Sequence, residues 1–118
     1  MQNNRIIDTY FRFLNLSHAM HALPSAPKLD AGEIRLLEAL ATSWHAGHAL
    51  TVKETMSLPI GGAPATLHRK LTRLKNLGLV SMDEKADDMR AKTVSPTRSA
   101  LDYFEKIAAC FDEARAVE

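Results

Sequence analysis

Apolar and polar positions alternate along most of this chain with a helical period. From Pro64 to Leu77, Leu67, Leu71 and Leu74 fall on one stripe. Ala65, Thr66, His68, Arg69, Thr72, Arg73 and Asn76 fall on the opposite face, with Lys70 and Lys75 on the shoulders. Pro64 suits a first helical position, where a missing N–H costs nothing, and Gly78 suits a left-handed stop. Upstream, Thr51 and Glu54 have the spacing of a capping box and predict a short helix over 52–57. Pro59, Gly61 and Gly62 break it. A short capped helix, a Pro/Gly turn and a second amphipathic helix are the layout of a helix-turn-helix.

Other patterns predict the rest of the fold. Residues 5–23 read as a helix with bulky apolars on more than one face: Ile6, Ile7, Tyr10, Phe11, Phe13, Leu14, Leu16, Met20 and Leu23. A small domain rarely buries that much of a terminal helix, so part of it is expected to meet a second subunit. Pro24 to Lys28 is a linker. Asp30 and Glu33 then have capping-box spacing, with Leu29 and Ile34 placed for a hydrophobic staple. Ile34, Leu37, Leu40, Ala41 and Trp44 form the expected buried stripe of that helix, and Gly47 its stop. After Gly78, residues 79–82 and 91–95 read as two short strands around a charged loop, 83–88, with Pro96 ending the second. Thr97 caps a last helix to about Ala116, whose expected apolar face is Leu101, Phe104, Ile107, Ala108 and Phe111.

Charge changes the picture at one place. No Asp or Glu lies between Thr55 and Met82, and the helix from Pro64 carries Arg69, Lys70, Arg73 and Lys75. The whole chain sums to +1, so everything outside this helix sums to −3. A solvated helix face normally mixes both signs. A basic second helix in this layout is one that enters the major groove of DNA.

Composition adds bounds. One domain, 1–118, is expected from 118 residues, with a DNA-binding core over 30–96 and terminal helices over 5–23 and 97–116. The fold class is mainly α with a small β-hairpin wing, a winged helix-turn-helix. Cys110 is the only cysteine, so no intrachain disulfide forms, which fits a reducing, cytoplasmic setting. The N-terminus has no basic segment followed by an apolar core, and no apolar run reaches membrane-spanning length. His18 and His21, and again His45 and His48, stand three apart. With Cys110 they lack the three or four convergent ligands that zinc requires, and neither metal nor cofactor is expected. Gly61–Gly62 lacks the lysine–serine pair of a phosphate loop. No nucleophile–base arrangement is present, so no enzyme is expected.

At this point the chain resembles the MarR family of winged helix-turn-helix regulators, from about Leu29 to Ala100. Leu50-Thr51 with Glu54 is similar to the family's first motif helix. Arg69, Arg73-Leu74 and Gly78-Leu79-Val80 are similar to its recognition helix running into the wing. Asp88, Arg90, Lys92, Val94 and Pro96-Thr97 are similar to its wing pattern, with Met89 where a second arginine is usual. The resemblance implies a homodimer held by both terminal helices, recognition helices in successive major grooves and Arg90 in a minor groove. It implies that Asp88 orients arginines nearby. By the same analogy a small effector would bind between the motif and the dimer helices. The expected function is a sequence-specific, double-stranded DNA-binding transcriptional regulator. Thr66, His68, Arg69, Thr72 and Arg73 would approach base edges, Lys70, Lys75 and Lys92 would neutralise phosphates, and Asn76 belongs to the same DNA-binding face. The alternative is a winged-helix module that uses its Leu/Phe-rich terminal helices to hold a partner protein.

Overall fold

The computed structural model describes residues 2–83 and 87–116. In chain order it has α1 (Gln2–His21), α2 (Ala31–His45), α3 (Val52–Met56), α4 (Pro64–Asn76), β1 (Val80–Met82), a 3-10 turn (Met89–Ala91), β2 (Val94–Pro96) and α5 (Arg98–Arg115). Two compact units form: Leu29–Ala100, and Met1–Lys28 with Leu101–Glu118. No helix among the described residues is long and apolar enough to cross a membrane.

In the first of these units, α2 and α4 share a core. Leu36, Leu37 and Leu40 of α2 and Leu67, Leu71 and Leu74 of α4 are all buried. Each such leucine contributes about 1.5–3 kcal/mol relative to exposure. The leucine stripe of α4 is the one its period predicts. The stripe of α2 is rotated from expectation. Leu36 is wholly buried, Ile34, Ala41 and Trp44 are half-buried, and Glu33 is buried with the leucines. Val52 and Thr55 of α3 complete the core. The Thr55 hydroxyl is satisfied by donating to the Thr51 carbonyl at 2.8 Å.

The helix ends follow their sequence signals. Asp30 and Thr51 each accept from the backbone N–H three residues on, and Glu33 and Glu54 reach back. At the end of α4, Gly78 has φ +79, a value an L side chain adopts only with strain. This lets Leu79 N–H donate to Leu74 C=O and Gly78 N–H to Lys75 C=O, the two bonds of a Schellman cap. The chain therefore turns straight from α4 into β1.

β1 and β2 pair antiparallel, Val80 with Pro96 and Met82 with Val94. The returning strand is three residues later than its expected start. Asp88 accepts from the Arg90 N–H and winds Met89–Ala91 into a 3-10 turn, so Ala91 leaves the strand. Pro96 is its last residue rather than a stop before it; an edge position tolerates a residue without an N–H. Residues 84–86 of the expected wing loop lie outside the described residues. Short strands need outside support. Here the chain before α3 supplies it: Val94 N–H donates to Leu50 C=O and Val52 N–H to Lys92 C=O. The Trp44 indole N–H also donates to Val94 C=O, at 3.0 Å. The wing is thereby tied to the helices that carry the motif.

In the second unit α1 runs antiparallel to α5. Arg12 donates to Ala114 C=O, the Phe13 and Phe111 rings stack at 4.3 Å, and His21 meets the Tyr103 hydroxyl at 2.8 Å. His21 Nδ1 also lies 2.7 Å from Ser17 C=O. A carbonyl only accepts, so Nδ1 carries the proton and Nε2 accepts from Tyr103 in the neutral ring. The buried face of α5 is not the expected one. Ala100, Tyr103, Cys110 and Ala114 are buried, whereas Leu101 and Phe111 are about half exposed. Among the described side chains of α1 only Met20 is buried, while Ile6, Ile7, Tyr10 and Phe11 are exposed.

Candidate nucleic-acid interface

The outward face of α4 is fixed by its inward one. With Leu67, Leu71 and Leu74 against α2, the side chains of His68, Arg69, Thr72, Lys75 and Asn76 are exposed and Thr66 is half-exposed. His68, Arg69, Thr72, Arg73, Asn76 and Leu77 line an open concavity of about 380 Å³. The five residues expected at base edges thus share one helix face, and four of them line this hollow beside Asn76.

The four cations of α4 divide into two kinds. Arg69 and Lys75 make no ion pair among the described residues. Lys70 and Arg73 turn towards the N-terminus of α2. Lys70 Nζ lies 3.4 Å from Asp30 Oδ2, and Arg73 Nε lies 3.1 Å from Glu33 Oε2. The Lys70 stem lies across Gly32, where a Cβ would come within 2.6 Å of its Cε. A side chain at position 32 would push it away. Half of the formal positive charge of α4 is therefore balanced within the fold, and the shoulder position expected for Lys70 is an anchor to α2.

The acids opposite are tightly held. Asp30 is both the cap of α2 and the partner of Lys70. The Glu33 backbone N–H, with Lys70 as a lesser cause, holds its carboxyl below the usual carboxylate range. Glu33 has both oxygens engaged. Oε1 accepts from the Asp30 N–H at 2.9 Å, and Oε2 faces Arg73. Sequence reading assigned these two acids to capping alone. The missed signal is a matched spacing: the acids stand three apart on α2, and the cations they meet stand three apart on α4, in the same order.

In the wing, Arg90 is exposed within the 3-10 turn and Lys92 is half-buried just before β2. Asp88 takes the backbone N–H of Arg90 at 3.0 Å and so orients this residue through its main chain. In the turn between α3 and α4, Arg35 of α2 donates to Ile60 C=O at 3.2 Å.

No family model matches the sequence, and no curated protein is similar to it. Solved structures do match in fold. A MarR family transcriptional regulator from Silicibacter pomeroyi DSS superposes with a TM-score of 0.52 at 21% identity, covering 98% of this chain and 68% of that one. A MarR-like transcription regulator from Bacillus cereus gives 0.55 at 18% identity, over 97% and 80% of the two chains. The zinc-responsive MarR family member ZitR of Lactococcus lactis gives 0.53 at 18% identity, over 98% and 80%. The chain has the MarR winged-helix fold. In that fold α3 and α4 are the helix-turn-helix and β1–β2 the wing.

Proposed function

We propose that this protein is a sequence-specific double-stranded DNA-binding transcriptional regulator that acts as a homodimer. The observation that carries the reading is the outward face of α4. It is exposed, free of acid, and built of side chains that donate to base edges, on the helix that the leucine core holds outward. His68, Arg69, Thr72, Arg73 and Asn76 are the proposed base-edge group, with Thr66 at the helix start. Lys75 and Lys92 are the proposed phosphate contacts, and Lys70 joins them only where a phosphate draws it from Asp30. Arg90 is proposed for the minor groove, where a narrow A·T-rich groove concentrates negative potential.

The homodimer rests on the exposed apolar side chains of the terminal helices. Ile6 is 72% exposed, Tyr10 57%, Phe11 53% and Phe111 52%. Such side chains together on one protein surface favour association. Response to a small effector is proposed on likeness alone, one structural neighbour being zinc-responsive.

The test is binding of the whole protein to duplex DNA over a range of salt concentrations, with sedimentation in parallel. Affinity should fall linearly on a log–log plot, by about 0.9 for each phosphate neutralised. Lys75→Ala should flatten that slope by about one while weakening all sequences alike. Salt-independent or absent binding would favour the protein-docking alternative.

A further inference from the structure

Arg73 differs from Arg69 in one respect: an acid from another helix holds it. Glu33 is buried, with its side chain 6% exposed, while the Arg73 side chain is 52% exposed and lines the hollow of α4. Each Glu33 oxygen has its own fixed partner, the Asp30 N–H at 2.9 Å and Arg73 Nε at 3.1 Å. The carboxylate therefore cannot rotate about its last bond without breaking one of them. The guanidinium is thereby anchored through its Nε.

We propose that Glu33 is a positioning residue for base recognition, which sets the guanidinium of Arg73 for a guanine edge before DNA arrives. This rests on the DNA-binding reading above. A guanidinium is a planar fork, and its match to guanine O6 and N7 depends on the plane as well as the position. A long side chain that is ordered on binding loses rotamer freedom at that moment. When Glu33 orders Arg73 in the free protein, that loss falls on folding instead. The same acid also subtracts one charge near the phosphates. Glu33 thus favours discrimination over general attraction. Arg69, with no ion pair among the described residues, is left to adapt to its contact.

The experiment starts with duplexes selected from a random pool by the wild-type protein. Single-base variants of the selected site are then titrated with each mutant. Arg73→Ala should lower preference at one position of each half-site by roughly 5- to 150-fold, the range for loss of one bidentate contact. Glu33→Gln keeps the shape and the capping acceptor. It should relax preference at that same position by about threefold or more, while binding to unselected duplex stays equal or strengthens. In an Arg73→Ala background Glu33→Gln should change no base preference. Arg73→Lys keeps a cation beside Glu33 but loses the fork, and it should lose the same preference; this variant stands even if Glu33→Gln folds poorly. The proposal is overturned if Glu33→Gln alters thermal stability alone, if its effect persists without Arg73, or if Arg73→Lys keeps full base preference. A wild-type protein that binds duplex without sequence preference overturns this proposal and leaves DNA binding standing. One that binds no duplex overturns both.

Discussion

At the start of α2, Asp30 and Glu33 cap the helix. At the start of α3, Thr51 and Glu54 cap theirs in the same reciprocal geometry. The reaching-back bonds are both 2.9 Å, and the forward ones are 2.7 and 3.1 Å. What differs is the surroundings. Glu33 is buried between α2 and α4 and meets Arg73, and Asp30 meets Lys70. Glu54 is exposed, and beyond its own box it meets, among the described residues, only His48 at 3.9 Å. The α3 box fixes where one short helix begins. The α2 box fixes the same thing and also holds the helix that faces the proposed DNA. A local signature becomes a tertiary one when a basic helix lies across it.

The largest effect expected from this contrast is at Glu33. Glu33→Ala removes a cap, leaves Arg73 without this partner beside buried surface, and opens space between two helices. Arg73 is half exposed, so water offsets part of the loss. We expect a destabilisation of about 2–3 kcal/mol, below the range for a fully buried pair. Denaturant titration measures it. A change within 0.5 kcal/mol, which is ordinary for a surface site, would place Glu33 in the same class as Glu54.

The next effect belongs to the α3 box. Thr51→Ala removes only the forward cap bond of a helix of five residues, Val52–Met56. About 1 kcal/mol is expected from the same denaturant titration. The loss should leave α4 in place, because the leucine core and the α2 pairs hold it independently. Base preference on selected duplex should therefore be unchanged by Thr51→Ala. An altered preference would mean that α3 steers α4 more than the two ion pairs do.

The contrast also marks how far the sequence could be read. Elements defined by punctuation were legible: both capping boxes, Pro64 opening α4, Gly78 closing it and Thr97 starting α5. So was the leucine stripe of α4, because its opposite face is uniformly polar. Helices with apolars on several faces were not. In α2 the period does not separate Leu36 from Ile34, and in α5 the bulky residues draw attention from the small ones. Of the buried residues of α5, Ala100, Cys110 and Ala114 carry little hydrophobic signal. The wing strand was misplaced because Asp88 captures a backbone N–H and winds a turn, a local competition that strand propensity does not register. At the candidate site the residue types were legible and their partners were not. Which of four cations a distant acid will hold depends on helix packing.

The smallest effect expected is on pH dependence, and it separates the boxes by their second partners. The Asp30 carboxyl is held low chiefly by the Glu33 N–H, with help from Lys70, and that of Glu54 chiefly by the Thr51 N–H. A group whose pKa is lower in the folded protein stabilises the fold above its unfolded pKa. That stabilisation disappears as pH falls through the folded value. Both boxes should therefore weaken below about pH 4, near the ordinary carboxylate range. Asn caps a helix nearly as well as Asp but does not titrate. Wild type should exceed Asp30→Asn in stability at neutral pH, and the difference should shrink as pH is lowered through the acid range. Lys70→Ala should reduce that difference for Asp30 and leave the matching one, wild type against Glu54→Gln, untouched. Urea titrations from pH 7 to about pH 3 read both. Parallel curves for wild type and Asp30→Asn would mean that the Lys70 pair and the cap act on Asp30 without regard to its charge. A Lys70→Ala effect on both boxes would mean that the lysine acts through the general field of α4 rather than through its contact with α2.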